Sequence, residues 1–157
     1  MQANEYNYSE RKRMKAAYAE FIEDFEPDSF ITLMTNDYGS VEGMRALVRD
    51  FLGRLDRKML GNAWLERPQH ERTDGVFVIE HVSSNIHAHG LVRMAKNDKI
   101  DVQEHCKAIW AKLCPGGSVL IEPPRNVKDV ASYISKEFAG GRFGDEQIVL
   151  ARDFMRL

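Results

Sequence analysis

"VFVIEHVSSNIHAHGLVRM", residues 76–94, contains two runs of strand-forming residues on either side of a short polar segment. The first run, 76–82, is rich in β-branched and aromatic residues, and the second, 86–94, follows the polar "SSN". Two such runs joined by a short turn are typical of a β-hairpin. We therefore expect the domain to be built around an antiparallel pair of strands.

The elements on either side of this hairpin predict the rest of the fold. Helical spacing of apolar residues predicts helices over 9–25, 40–60, 99–113 and 126–138, and strands are predicted over 29–36 and 118–123. Leaving out the first helix, the order is β-α-β-β-α-β and then a helix, which is the split βαβ order of ferredoxin-like and RRM-like domains. We expect an α+β fold with a central antiparallel sheet, helices packed on it, and additional N-terminal and C-terminal helices.

Length and composition exclude several classes of protein. The chain has 157 residues, 43% hydrophobic and 29% charged, which fits a single folded domain over residues 1–157. It has no apolar run long enough to span a bilayer and no N-terminal signal core, so no membrane partner is expected. The two cysteines, Cys106 and Cys114, match no metal-binding or disulfide pattern, so we expect both to be reduced in a cytoplasmic protein.

Net charge bears on nucleic-acid binding. The formal charge of −2 argues against a protein that coats nucleic acid without specificity, because such binding depends on neutralising phosphates. A local basic groove is still compatible with this value. The basic stretch "ERKRMK", residues 10–15, is equally compatible with an ordinary solvated helix face.

Two histidines in the second predicted strand share one face of the sheet. Side chains alternate across a strand, so His87 and His89 project together, whereas Ala88 and Gly90 lie on the opposite, small and apolar face. That second face is suited to packing beneath helices. Two neutral imidazoles side by side can bind one divalent ion, although a lone H-x-H pattern is more often ordinary polar surface.

The neighbouring predicted strand offers a third ligand. Glu80 faces the histidines if the hairpin pairs it opposite one of them, and a shift of one residue would bring His81 there instead. We favour Glu80, because a carboxylate suits Mg²⁺ or Mn²⁺ and a glutamate in so apolar a strand needs a partner. Two histidines and one carboxylate leave coordination positions open for a substrate.

The predicted helix over 126–138 carries a second candidate group. Its apolar stripe includes Val130, Ile134 and Phe138, whereas Tyr133 lies to one side of the stripe and Lys136 lies almost opposite it. Tyr133 and Lys136 are i, i+3 neighbours, so the ammonium can hold a phosphate or lower the pKa of the phenol. An exposed tyrosine beside an ordinary surface lysine is the simpler interpretation of the helix alone.

Three motifs together resemble a known family. "FITLMTN" (30–36), "IHAHG" (86–90) with an upstream glutamate, and "YISK" (133–136) are similar, in order and spacing, to motifs of the HUH endonuclease superfamily. The resemblance is greatest to Rep-type rolling-circle replication initiators and covers roughly residues 29–138. The chain departs from two-tyrosine members by having Glu137 where a second tyrosine would stand, and it contains nothing like a P-loop.

The resemblance implies a metal-dependent, site-specific endonuclease that nicks and joins single-stranded DNA. His87, His89 and Glu80 would bind Mg²⁺ or Mn²⁺, Tyr133 would be the nucleophile, and Lys136 would be its charged companion. The implied intermediate is a 5′-phosphotyrosine with a free 3′-hydroxyl that primes replication. Implied partners are single-stranded or origin hairpin DNA and a host helicase and polymerase, in the cytoplasm or, for a virus, in the host nucleus. The chain would be a stand-alone nickase, a trimmed chain, or an initiator that borrows a helicase.

Further candidate DNA contacts come from basic and aromatic residues outside these motifs. They lie in the predicted N-terminal helix and in the long connection 61–75: Arg11, Lys12, Arg13, Trp64, Arg67, His70 and Arg72. Three other functions are compatible with parts of the sequence. They are a single-tyrosine transposase or mobilisation relaxase, an RRM-like RNA-binding module, and a domain stabilised by a structural metal. The RNA-binding module is disfavoured because "IHAHGLVRM" lacks the stacking aromatics of such domains.

Overall fold

A computed structural model describes residues 26–80, 84–124 and 147–154, together with the single positions 13, 16, 20 and 24. Its α+β architecture confirms the predicted class. The strands are β1 (Ser29–Met34), β2 (Asp74–Glu80), β3 (His87–Arg93), β4 (Ser118–Glu122) and β5 (Ile148–Leu150). The helices are α1 (Val41–Leu60) and α2 (Val102–Leu113), with short 3₁₀ turns at Trp64–Glu66, Gln69–Glu71 and Ala151–Phe154.

The five strands form one antiparallel sheet in the order β4-β1-β3-β2-β5. β2 and β3 pair along their whole length, from Asp74 opposite Arg93 to Glu80 opposite His87, so the predicted antiparallel pair is confirmed. β2 begins two residues earlier than predicted and ends at Glu80, and residues 81–83 of the connection lie outside the described part of the chain.

Both described helices begin at a side-chain cap. Ser40 accepts a hydrogen bond from the Gly43 amide, so the predicted helix over 40–60 and its cap are confirmed. α2 begins at Val102 rather than at the predicted residue 99. The reason is local, because the Asp101 carboxylate accepts from the amides of Gln103 and Glu104 and fixes the first turn there.

The core lies between one face of the sheet and the two helices. On the sheet side it contains the alternate residues of the central strands, and on the helix side it contains large apolar residues of α1 and α2. These include Ile31, Leu33, Phe77, Ile79, Ala88, Met44, Val48, Phe51 and Trp110, each at most 2% exposed. Burying a side chain such as Phe51 contributes about 1.5–3 kcal/mol. The helices therefore pack on the Ala88 face, as predicted, and the histidines face the other way.

Other predictions are covered only in part. Arg13, Ala16, Glu20 and Asp24 are helical and exposed, at the spacing of one helix face, which agrees with the predicted helix over 9–25. The predicted helix over 126–138 lies outside the described residues.

Cys106 and Cys114 are free thiols, and burial raises the pKa of Cys106 to about 12. Among the described helices, none has the length and apolarity needed to cross a membrane.

Candidate metal centre

Three potential ligands converge where β2 and β3 meet the connection between them. Glu80 stands directly opposite His87, and His89 lies two residues further along β3 on the same face. The Glu80 Oε2 atom is 3.3 Å from His87 Nε2 and 3.4 Å from His89 Nε2. The three ligand atoms all lie within 4.8 Å of one another, so one metal ion can contact them all.

The second nitrogen of each imidazole is held by a neighbouring group. His87 Nδ1 lies 3.0 Å from the carbonyl oxygen of Asn85, and His89 Nδ1 lies 3.0 Å from Oγ1 of Thr32. A carbonyl can only accept, so His87 carries a proton on Nδ1, and Nε2 of the neutral ring directs its lone pair toward Glu80. The Thr32 hydroxyl can accept from His89 in the same way. Such contacts are the usual means of orienting a metal-binding histidine.

The electrostatics of the group favour a cation at its centre. With protons on both Nδ1 atoms, two lone pairs and a carboxylate oxygen face one another at 3.3–3.4 Å. That arrangement is repulsive unless a proton or a metal ion lies between the groups. The His89 ring is also fixed by stacking on Phe30, with centroids 5.6 Å apart and planes inclined by 16°. The group is therefore held in place by its neighbours on β1 as well as by the hairpin.

Access to the site is partial. The side chain of Glu80 is 9% exposed, whereas the imidazoles of His87 and His89 are 15% and 25% exposed. A metal ion held from the sheet side by three ligands can therefore keep further coordination positions directed away from the sheet. Two imidazoles and one carboxylate are compatible with several divalent ions, and open positions are typical of catalytic rather than structural sites.

The structure brings together the three predicted metal ligands, whereas most of the other predicted site residues lie outside its described part. The register brings Glu80 beside His87 and His89, and the alternative ligand His81 lies outside the described residues. Tyr133 and Lys136 also lie outside them, as do Arg11 and Lys12. Arg13 is an exposed helical residue, and nothing in the described structure joins it to the histidines.

The candidate DNA contacts of the long connection lie at the other end of the sheet. The connection enters β2 at Asp74, and Glu80 is about 20 Å further along the strand at a rise of roughly 3.3 Å per residue. The structure therefore does not bring Trp64, Arg67 or His70 to the metal ligands. Arg67 forms a 3.0 Å ion pair with Glu71, and His70 is exposed.

Arg72, the remaining candidate DNA contact of this connection, is largely buried. Its side chain is only 5% exposed, its Nε lies 3.6 Å from Oδ2 of Asp56, and its guanidinium carbon lies 5.0 Å from the centre of the Trp64 ring. Asp56 belongs to α1, and burial raises the pKa of its carboxyl group more than Thr73 and Arg72 lower it. The connection is thus anchored to α1 by a buried charged pair.

Sequence reasoning missed the residues that orient the imidazoles. Thr32 and Phe30 are alternate residues of β1 on the histidine face, and β1 pairs with β3 so that Thr32 stands opposite His89. The "F-x-T" pattern of residues 30–32 was the available signal, but the pairing of β1 with β3 was needed to interpret it. Comparisons of the chain with protein-family models, with curated proteins and with solved structures found no match.

Proposed function

We propose that the protein is an HUH-type endonuclease that nicks and rejoins single-stranded DNA at a specific site and initiates rolling-circle replication. One observation carries the proposal. The Nε2 atoms of His87 and His89 and a carboxylate oxygen of Glu80 converge on one point, with both Nδ1 atoms already engaged. The site also lies on the sheet face opposite α1 and α2, and its two imidazoles are 15% and 25% exposed.

The arrangement of the strands supports the same interpretation. β4-β1-β3-β2 is the order expected of a ferredoxin-like split βαβ sheet, with β5 added beside β2. In that arrangement β3 is the middle strand of the five, so the histidines lie near the centre of the sheet rather than at an edge. A DNA phosphate would reach them through the partly exposed imidazoles, because Val78 and Leu91 beside them are buried.

In the proposed reaction the phenol oxygen of Tyr133 attacks a DNA phosphodiester. A bond forms between that oxygen and phosphorus, the bond from phosphorus to the 3′ oxygen breaks, and the 3′-hydroxyl leaves with a proton. A bound Mg²⁺ or Mn²⁺ would polarise a non-bridging oxygen of the phosphate. Glu80, His87 and His89 would bind this ion and so orient the phosphate. Lys136 would offset the negative charge of the phosphate. The phosphotyrosine conserves the bond energy, so attack by a 3′-hydroxyl reseals the strand.

The roles of Tyr133 and Lys136 rest on the sequence, so the experiment is directed at the covalent product. The protein is incubated with Mn²⁺ and single-stranded oligonucleotides that cover candidate origins, each labelled at its 3′ end. Because Tyr133 would retain the 5′ phosphate of the downstream fragment, the label should migrate with the protein after denaturation. Chelation by EDTA and Tyr133→Phe should each abolish the adduct.

A matched tyrosine separates nucleophile loss from a general effect of the substitution. Tyr38 is 77% exposed and belongs to none of the proposed motifs, so Tyr38→Phe should leave adduct formation unchanged. Intact oligonucleotides in both Mn²⁺ and Mg²⁺ would contradict the endonuclease. Stable RNA binding without cleavage would instead support the RNA-binding module, and unfolding of His87→Ala would point to a structural metal. A preference for transposon ends or for a transfer origin would favour the transposase or relaxase alternatives.

A further inference from the structure

A groove runs along the outer side of α1. Its widest part, a cleft of about 600 Å³, lies between α1, the connection after it and the Ala151–Phe154 turn. A second concavity adjoins it at Arg49 and Phe154, and a third continues from Lys58 past the end of the helix. We call these three concavities together the α1 groove. A helix of 20 residues is about 30 Å long, and the three concavities lie against successive parts of it.

The α1 groove is positively charged although the chain as a whole has a charge of −2. Its lining contains eight basic and four acidic residues. The basic residues of α1 that line it are Arg45, Arg49, Arg54, Arg57 and Lys58. The neighbouring segments add Arg67, Arg72 and Lys96. The charge is therefore spread along the helix and does not converge on one point.

Part of this charge is already balanced within the groove. Arg49 lies 3.2 Å from Asp50, the buried Arg72 lies 3.6 Å from Asp56, and Arg67 lies 3.0 Å from Glu71. Arg54 and Arg57, by contrast, are exposed and form no ion pair with any residue of the described ranges. These two guanidinium groups, one turn apart on α1, are therefore available to an anionic ligand.

Arg72 forms part of the wall of the groove and holds the connection against α1. It lines the wall of the groove with 95% of its surface buried, yet its Nε atom has no acceptor within hydrogen-bond distance among the described residues. The 3.6 Å separation from Asp56 is too long for a hydrogen bond. A buried donor left unsatisfied costs about 1–3 kcal/mol, which the nearby carboxylate of Asp56 partly offsets.

We infer that the α1 groove binds the phosphate backbone of DNA, at a surface separate from the metal centre. A polyanion fits better than a small phosphate compound, because the cations of α1 extend from Arg45 to Lys58, over about 20 Å, and a duplex presents a phosphate every 3.4 Å along each strand. That the polymer is DNA rests on the proposed function. α1 covers the sheet face opposite His87 and His89, so the groove holds DNA that flanks the cleavage site and does not hold the scissile phosphate.

The test measures binding under conditions in which cleavage cannot occur. Fluorescence anisotropy of labelled DNA, longer than α1, is recorded in EDTA from about 50 mM to about 200 mM salt. Single-stranded and duplex probes distinguish which form the groove holds. The variant Arg54→Ala/Arg57→Ala removes the two available guanidinium groups. Its matched control is Lys107→Ala/Lys112→Ala, which removes two exposed cations from α2.

The groove variant should weaken binding about tenfold at low salt. Its slope of log K against log salt should fall by about 1.8 for duplex or about 1.4 for single-stranded DNA, since two phosphate contacts are lost. The control should bind like the wild type. Unchanged affinity of the groove variant, or an equal loss in the control, would overturn the inference.

This result is separable from a failure of the proposed function. A wild-type protein that binds through the groove but yields no covalent adduct would refute the endonuclease and leave the groove intact. A groove variant that binds DNA with wild-type affinity and still forms the covalent adduct would refute the groove and leave the endonuclease intact.

Discussion

Thr32 and the Asn85 carbonyl determine which nitrogen each imidazole presents to a metal ion. Each contact is 3.0 Å long and occupies Nδ1, so Nε2 of His87 and of His89 faces Glu80. Without these contacts the rings could rotate or exchange tautomers, and part of the binding energy would be spent on ordering them. The backbone carbonyl cannot be removed by substitution, but the threonine hydroxyl can.

Thr32→Val is expected to lower the affinity for Mn²⁺ by between about tenfold and about a hundredfold, the usual effect of losing a group that orients a ligand. Valine has nearly the same shape, and Thr32 is 8% exposed, so packing is retained while the partner of His89 Nδ1 is lost. Isothermal titration of the purified protein with Mn²⁺ measures the change.

Thr35→Val provides the comparison on the same stretch of chain. The Thr35 hydroxyl lies 3.0 Å from the carbonyl oxygen of Ile86 and 2.9 Å from that of Asp37 and shares its single proton between them. It contacts neither imidazole, so its loss should leave Mn²⁺ affinity within about twofold of wild type. If the two variants bound Mn²⁺ equally well, the orienting role of Thr32 would be wrong.

At the scale of elements, Gly90 allows β3 to serve two functions. It lies between His89 and Leu91, directly opposite Phe77 in the sheet, and a Cβ at this position would overlap the Phe77 ring. The ring occupies the space that a side chain would need, on the core side of the strand. β3 therefore carries the metal ligands on one face and packs against the buried Phe77 ring on the other.

Gly90→Ala is expected to destabilise the fold by about 1–3 kcal/mol, the typical cost of overpacking a core. The cost should be smaller in a Phe77→Leu background, where the ring that meets the new methyl group is gone. Chemical denaturation of the four members of this double-mutant cycle gives the coupling between the two positions.

Gly53→Ala is the matched control, and its expected sign is opposite. A Cβ at Gly53 would lie 3.5 Å from the Trp64 ring, which is ordinary contact, so helix propensity should stabilise α1 by about 0.5–1 kcal/mol. Equal destabilisation by both alanines, or no coupling between Gly90 and Phe77, would contradict the steric explanation.

These elements also show what local patterns can predict. Alternation in 86–94 was sufficient to place His87 and His89 on one face, and Ser40 marked the beginning of α1, because both signals lie within a few residues. β5 was not predicted, since Ile148–Leu150 is only three residues long and pairs with β2 from far along the chain. The burial of Arg72 could not be predicted for a similar reason, because its partner Asp56 lies on another element.

At the scale of the whole molecule, the core and the metal centre occupy opposite faces of one sheet. The buried residues between the sheet and the two helices, such as Phe51, Phe77 and Trp110, make no contribution to the ligand group. Glu80, His87 and His89 in turn lie outside that core. The sheet can therefore fold around its helices first, and the metal can bind to a structure that already exists, unlike a small domain that folds only with its metal.

The metal should therefore raise the melting temperature without being required for folding. Mn²⁺ at about a hundred times its Kd stabilises the native state by about 2.7 kcal/mol, which corresponds to roughly 5–10 °C for a chain of this size. Differential scanning fluorimetry in EDTA and in Mn²⁺ measures the shift. The double variant His87→Ala/His89→Ala should melt cooperatively near the metal-free wild type and show no response to Mn²⁺, whereas His70→Ala, which alters an exposed histidine away from the ligands, should respond fully. A double variant that no longer melts cooperatively would mean that the ligand group is needed to form the fold, and the independence of the two faces would be wrong.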